Sequence, residues 1–255
     1  MSMITHDNLT TLWYITPAYN EESRIEMTLE FLIGLKRKLE TEELRLIPIL
    51  VDDGSIDGTY RIMCRYMNSL EGLVIKIRHG GRGAALIEGI KAIHKASCTS
   101  KGRGIIVLSS ADLKLPSEDL VEACRLILKE GYDAVFLSKN IPGSLIKRSV
   151  LRRTLSLLFN RLVRLLFNLP YKDTQGVKFI RLTEKTLRLL EDCTMGGFLY
   201  DTEATIHLHN HDMSIKEVPC RLMDSSERGS KVNFYSIILM AFGLISLLKS
   251  VRRVD

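Results

Sequence analysis

Tryptophan occurs once, proline six times and cysteine five times in these 255 residues, and these scarcities and other absences narrow what the chain can be. The five cysteines (Cys64, Cys98, Cys124, Cys193, Cys220) are scattered, odd in number and free of any CxxC spacing. They read as buried thiols in a reducing compartment rather than as a disulfide framework or a zinc site. No GxGxxG follows the first apolar segment, which argues against a dinucleotide oxidoreductase, and the lack of GxxxxGK[ST] argues against P-loop phosphoryl transfer. His207 and His211 have the i,i+4 spacing of a helical zinc pair, with His209 between them, but no HExxH frame surrounds them. The N-terminus has no basic stretch leading into an apolar one, so a cleaved signal peptide is not expected. No internal repeat or low-complexity linker is found. No apolar run reaches the roughly twenty residues that a membrane-spanning helix needs.

What is present is a core and a positive balance. At 45% hydrophobic residues the chain can bury a substantial core as one domain. Its net charge of +6 suits an anionic partner. On charge alone a nucleoside diphosphate, a lipid phosphate, a negative membrane surface and nucleic acid all qualify.

The most informative stretch is 46–59, LIPILVDDGSIDGT. Ile47, Ile49, Leu50 and Val51 read as a buried parallel strand, too short and too β-branched for a helix. Asp52 and Asp53 then stand at its carboxyl end, where open α/β sheets bind ligands. Gly54 and Ser55 turn the chain, and Asp57 can cap a helix beginning near Gly58. Two adjacent carboxylates are costly to bury without partners and should face a polar or metal-bearing cleft; an ordinary acid-capped junction is the plainer alternative. The pattern recurs. Leu12–Thr16 is an apolar segment ending at Pro17, Leu73–Ile77 leads into HGGRG, GIIVLS at 104–109 leads into Ser110-Ala111-Asp112, and DAVFLS at 133–138 precedes Lys139. Strand then helix, about five times over, predicts a mostly parallel sheet with helices on both faces and polar loops gathered at one edge.

The loops carry a series of short motifs: Pro17-Ala18-Tyr19-Asn20-Glu21, Val51-Asp52-Asp53-Gly54-Ser55, Gly81-Arg82-Gly83-Ala84-Ala85, Ser110-Ala111-Asp112, Asp173-Thr174-Gln175-Gly176-Val177-Lys178-Phe179, Tyr200-Asp201-Thr202-Glu203, Glu217-Val218-Pro219 and Gly229-Ser230-Lys231. In this order and rough spacing, from about Tyr14 to Leu248, the chain resembles the family 2 glycosyltransferases of the GT-A fold. Within them it is similar to the polyprenyl-phosphate hexose synthases, the dolichyl-phosphate mannose and glucose transferases.

The resemblance implies an inverting transfer of a hexose from UDP-glucose or GDP-mannose to a polyprenyl or dolichyl phosphate. It assigns Pro17, Tyr19 and Glu21 to the nucleoside pocket, with Tyr19 against the base or ribose. Asp53 would accept from the base with Asp52 nearby, and Arg82 would reach toward the nucleotide. Ser110, Ala111, Asp112 and Lys114 would lie beside the donor diphosphate. Lys139, Arg152, Asp173, Gln175 and Ser230 fall on the acceptor-phosphate side. Arg152, Arg228 and Lys231 would grip phosphates, and Asp201 would bind a sugar hydroxyl or orient an acceptor cation, or simply cap a helix. Asp112, Arg152, Asp201, Arg228 and Lys231 are therefore the candidate catalytic set.

The departure is at the metal motif. Relatives carry Asp-x-Asp where this chain has Ser110-Ala111-Asp112, leaving Asp112 as the one carboxylate for Mg²⁺ or Mn²⁺. One carboxylate with the donor's phosphates can suffice for Mg²⁺; alternatively the Lys114 ammonium neutralises the diphosphate itself. The altered motif also leaves room for a non-catalytic relative that binds nucleotide or lipid phosphate, or serves as a partner subunit.

Two segments point to a membrane surface. Residues 148–169 place leucines and phenylalanines at helical spacing with arginines on the other face, as in an interfacial helix with Arg161 and Arg164 at headgroup level. Residues 236–248 are continuously apolar and followed by Lys249, Arg252 and Arg253. Packing on the domain or on a second subunit is the alternative for both. The expected organisation is a catalytic domain over 1–232 and a membrane-associating helix with a basic tail over 233–255. The expected location is the cytoplasmic face of a membrane, peripherally bound, with a nucleotide-sugar donor and a polyprenyl-phosphate acceptor, no nucleic acid, and a homo-oligomer as an option.

Overall fold

The computed structural model describes residues 9–97, 103–111, 115–145, 150–221 and 243–249, the side chain of Arg152 excepted. Seven strands form one sheet in the order β3-β2-β1-β4-β6-β5-β7. They are β1 (Thr10–Ala18), β2 (Leu44–Asp52), β3 (Leu73–Lys76), β4 (Gly104–Leu108), β5 (Ala134–Ser138), β6 (Val177–Arg181) and β7 (Ile215–Pro219). The helices are α1 (Ile25–Glu40), α2 (Thr59–Leu70), α3 (Gly81–Ser97), α4 (Ser117–Leu128), α5 (Val150–Phe167), α6 (Glu184–Glu191) and α7 (Leu199–Asn210), and residues 243–249 add a short helical segment, α8.

Strand periodicity divides the core in two. In β1, Leu12 and Tyr14 face a cluster with Ile25, Leu29 and Leu32 of α1, Met63 of α2 and Leu120 of α4. Trp13 and Ile15 face the opposite cluster with Leu86 and Ile90 of α3, Val163 of α5, Leu187 of α6 and Ile206 of α7. Burial on both faces is what makes these strands near-continuous apolar runs. Helix α3 lies close on β1 because residue 89 is glycine: a Cβ there would stand 2.6 Å from Ile15 Cγ2.

The sheet is not wholly parallel. β6 runs antiparallel to both β4 and β5, while β1, β2, β3, β4, β5 and β7 share one direction. The reason lies in the route of the chain. After β5 it makes the α5 excursion and returns at the edge where β5 ended, so Asp173–Gly176 precede β6 beside the carboxyl ends of the parallel strands.

Two features of the periphery bear on the expectations. Residues 243–249 do not stand apart from the domain: Leu244 and Leu247 are buried in the core, and Gly243 approaches Leu199 of α7. The rest of 233–255 lies outside the described residues. Cys124, Cys193 and Cys220 are buried thiols as expected, but Cys64 is exposed and Cys98 lies outside the described residues. Burial pushes the Cys124 thiol up to about 12, so it is inert at neutral pH. No described helix is long and apolar enough to cross a membrane.

Candidate active site

The loops after β1, β2 and β3 lock together at the carboxyl edge of the sheet. Asn20 adopts a left-handed backbone (φ 51°), its N–H donates to Ser55 Oγ at 2.9 Å and its side-chain oxygen accepts from Ile56 N at 3.0 Å. Glu21 N donates to Thr59 Oγ1 at 2.8 Å, and the Glu21 carboxylate pairs with Arg24 at the entrance to α1. Asp57 accepts from Thr59 N at 3.0 Å and from Glu22 N at 3.2 Å, tying the start of α2 to the β1 loop. Tyr19 stacks on His79, ring centroids 4.1 Å apart.

The two carboxylates of the β2 motif do different work. Asp53 accepts from Gly80 N at 2.8 Å, from Gly81 N at 2.9 Å and contacts His79 Nδ1 at 2.9 Å. It is the anchor of the glycine loop. Gly54 makes this possible: its φ is +72°, and a Cβ there would lie 2.7 Å from His79 N. Asp52 is fully buried and accepts from Ser55 N at 3.3 Å, yet its Oδ2 has no hydrogen bond; Lys76 Nζ stands 4.0 Å away. Of the pair, Asp52 thus retains the unused acceptor.

Arg82, at the start of α3, turns into the domain. Its Nε donates to Asp201 Oδ2 at 2.9 Å, its Nη2 to Asp201 Oδ1 at 3.4 Å and its Nη1 to the Ser109 carbonyl at 2.8 Å. The remaining guanidinium N–H groups stay available. On the other side of Asp201 stands Lys178 Nζ, 3.7 Å from Oδ1 and donating to the carbonyls of Thr174 at 2.8 Å and Gly176 at 3.2 Å. Both Asp201 and Lys178 are buried. Burial raises the Asp201 carboxyl, but Arg82 and Lys178 outweigh it and hold the group below its ordinary value. Burial lowers the Lys178 ammonium, and Asp201 and Asp173 offset only part of that. Two cations therefore share one buried carboxylate near the carboxyl edge of the sheet. Asp201 lies in the first turn of α7, and its carboxylate is held by the two cations.

The acceptor side is built on the turn before β6. Asp173 is fully buried, accepting from Lys139 N at 2.9 Å and Gln175 N at 3.0 Å. Lys139 Nζ donates to the Gln175 carbonyl at 2.8 Å and lies 3.9 Å from Asp173 Oδ2. Gln175 Nε2 donates to Phe198 O at 2.9 Å and Thr202 Oγ1 at 2.7 Å, fastening this turn to α7. Asn160 of α5 accepts from Thr174 N at 2.8 Å. A Cβ at Gly176 would be 2.2 Å from Leu137 O, so only glycine lets the turn pass β5.

The expected residues Pro17, Tyr19, Glu21, Asp52, Asp53, Arg82, Ser110, Ala111, Lys139, Asp173, Gln175 and Asp201 thus gather at one sheet edge. Asp112, Lys114, Arg228, Ser230 and Lys231 lie outside the described residues, as does the side chain of Arg152. Residues given no role from sequence also prove structural to the site. Lys178 is the plainest, and its signal was a lone lysine inside the apolar strand VKFIR. His79, Thr202 and Glu203 are the others; Glu203 accepts from the amides of Thr194 and Met195 and holds the loop beneath α3. His207, His209 and His211 form no metal site: His207 Nδ1 contacts the Leu189 carbonyl and His209 faces Tyr171. No three metal-binding side chains cluster among the described residues.

A sheet of this order, with its polar loops gathered at the carboxyl edge, has the GT-A fold. The chain belongs to glycosyl transferase family 2, whose model matches residues 13–189. It is 27% identical over 239 residues to an uncharacterized protein of Methanocaldococcus jannaschii, covering 91% of this chain and 90% of the relative. It is 25% identical over 244 residues to dolichyl-phosphate beta-glucosyltransferase ALG5C of Trichomonas vaginalis, covering 92% of this chain and 69% of that enzyme. The solved mannosyltransferase PcManGT of Pyrobaculum calidifontis, in complex with GDP-Man and Mn²⁺, shares the fold with a TM-score of 0.52 at 20% identity. That likeness covers 87% of this chain, which spans about three-fifths (59%) of the mannosyltransferase.

Proposed function

We propose that this glycosyltransferase moves a hexose from a nucleoside-diphosphate sugar, UDP-glucose or GDP-mannose, to a polyprenyl phosphate, with inversion at the anomeric carbon. The observation that carries the reading is the cluster of Arg82, Lys139 and Lys178 around Asp173 and Asp201, an excess of positive charge at the strand edge. The likeness to a dolichyl-phosphate glucosyltransferase over most of the chain supports the acceptor class.

An acceptor phosphate is already anionic near neutral pH, so no strong base is required. One of its oxygens attacks the anomeric carbon as the bond to the leaving diphosphate breaks on the opposite face. The protein's part is to position two anions and to stabilise the charge that develops on the diphosphate. Tyr19 lies against the base near the Asp52–Asp53 pair, of which Asp53 holds the glycine loop beneath the ligand. Arg82 presents its free N–H groups to the diphosphate, aligned by Asp201. Lys139, Asp173 and Gln175 set the acceptor-side turn, and Arg152, Arg228, Ser230 and Lys231 are the phosphate ligands that the family resemblance implies.

The donor set of the altered motif, the Asp112 carboxylate with the Ser110 hydroxyl nearby in sequence, suits Mg²⁺ or Mn²⁺ only if diphosphate oxygens complete the shell. When bound, such an ion would supply charge neutralisation on the leaving group. Lys114 can instead supply one positive charge there without the metal. The enzyme works peripherally on the cytoplasmic face of a membrane, where the outward leucines of α5 meet the bilayer.

The test is a transfer assay with purified protein, a short polyprenyl phosphate in detergent and a panel of UDP- and GDP-hexoses, each with Mg²⁺, Mn²⁺ or EDTA. Product from one donor is expected. Turnover that survives EDTA but is lost in Lys114→Ala assigns the neutralising charge to Lys114. Nucleotide binding without product from any donor overturns the reading in favour of a non-catalytic relative.

A further inference from the structure

Helix α5 is amphipathic in an unusual way. Leu151, Leu158 and Leu165 repeat every seven residues and are 69%, 59% and 75% exposed, while Asn160 and Val163 on the inner side are buried. At its C-terminal end the helix borders a groove of about 560 Å³, whose polar lining includes Arg161, Arg164, Lys172, Asn140 and Asn168. Its apolar lining comes from Leu157, Leu165 and Leu169. Among the described residues the side chains of Arg161, Arg164 and Lys172 form no ion pair, though the Glu217 carboxylate accepts from the Lys172 amide; Lys36, Lys91, Arg125 and Arg188 are paired, while Arg37, Lys38 and Lys129 are not. Leu165 belongs both to the groove and to the exposed leucine line, so the cationic groove opens onto the apolar face.

We infer that this groove binds the phosphate headgroup of an anionic membrane phospholipid, with the acyl chains lying along the leucines of α5. Three features select that ligand. The unneutralised cations demand an anion, and the adjoining leucines demand that the anion carry an apolar tail. The volume lies in the range of small-molecule pockets, larger than a bare phosphate would fill, and the asparagine amides can meet the ester and glycerol oxygens. The groove's arginines are separated from Arg152, although its Asn140 and Lys172 adjoin the acceptor-side Lys139 and Asp173. Arg161 and Arg164 follow Arg152 by nine and twelve residues, about 14 and 18 Å along a helix axis, too far for one phosphate to serve all three. The groove is nonetheless linked to the acceptor turn: Asn140 Nδ2 donates to Lys172 O at 3.2 Å, and Asn160 binds Thr174. A headgroup held here would fix the cleft at a set height above the bilayer. This rests on the reading that α5 meets a membrane.

Vesicle flotation of the full chain tests it, using phosphatidylcholine alone, phosphatidylcholine doped with phosphatidylglycerol, and phosphatidylcholine doped with a polyprenyl phosphate to equal surface charge. Arg161→Gln/Arg164→Gln/Lys172→Gln is compared with the charge-matched Lys91→Gln/Lys95→Gln/Lys129→Gln. At roughly a factor of five per cation near a charged surface, the groove variant should lose about 100-fold in affinity for phosphatidylglycerol vesicles. The control should lose far less, and the groove variant should keep its melting temperature and its turnover on the detergent-dispersed acceptor. Equal losses in both variants would reduce the effect to bulk charge and overturn the proposal. So would unchanged binding by the groove variant. A loss confined to polyprenyl-phosphate vesicles, with turnover falling too, would make the groove an acceptor site instead. Absence of transfer activity in the parent chain bears on the reaction alone, because flotation reads the groove without it.

Discussion

Replacing Asp201 by asparagine removes the only negative charge within 4.0 Å of both Arg82 and Lys178 among the described residues. Asp201 and Lys178 are buried, so the variant leaves a buried ammonium and the part-buried Arg82 guanidinium without their shared counter-charge, a loss of about 3–5 kcal/mol. For a chain of this size each kcal/mol moves the melting temperature by about 2–4 °C, so Asp201→Asn should melt roughly 10 °C lower. Deleting the second cation in the same background, Asp201→Asn/Lys178→Met, should return part of that loss, because the like-charge contact goes with it. Circular dichroism melts of the parent, both single variants and the double variant give the coupling directly. The pH dependence has a definite sign. The Asp201 carboxyl lies below its ordinary 3.8 in the folded protein, so its contribution is complete above that value and is lost as pH falls through the lower folded one. The gap between parent and Asp201→Asn should be fully open above about pH 4 and close as the pH falls below it. Lys178 acts in the opposite sense, its burial cost easing as pH rises toward 10.5, so the gap should narrow again in strong alkali. An Asp201→Asn variant melting within about 2 °C of the parent at neutral pH, or a double variant no more stable than Asp201→Asn, would refute the charge-sharing argument.

Gly83→Ala should destabilise by about 1–3 kcal/mol despite alanine's higher helix propensity. The added Cβ would stand 2.4 Å from the Met195 carbonyl, and a denaturant melt showing stabilisation would exclude this contact. Tyr19→Ala should weaken UDP or GDP binding by roughly 5- to 100-fold, the range of base–aromatic stacking, with little change in melting temperature. Calorimetric titration with an unchanged dissociation constant would remove Tyr19 from the nucleoside pocket.

Much of the site could be read along the chain because the parallel α/β architecture sends every strand's carboxyl end to one edge. An apolar run ending in Asp52-Asp53-Gly54 or in Ser109-Ser110-Ala111 therefore announces both a strand and its place at the cleft. The division of labour between neighbours was not legible. Asp52 and Asp53 are chemically identical, and only the approach of the 79–81 loop commits one to backbone amides and leaves the other with a free oxygen. Arg82 likewise reads as a ligand-facing cation, but the aspartate that fixes its orientation lies 119 residues away in sequence. The antiparallel course of β6 was hidden because an apolar five-residue strand carries no mark of its direction.

The sequence by itself determined the fold class, the edge on which the polar loops converge and the family, because hydrophobic period and short motifs are local properties of the chain. The tertiary structure decided which charges pair, which acceptor stays free, and that residues 243–249 pack into the core while the α5 leucines do not. Those outcomes depend on distances between segments far apart in sequence, and no local pattern encodes them.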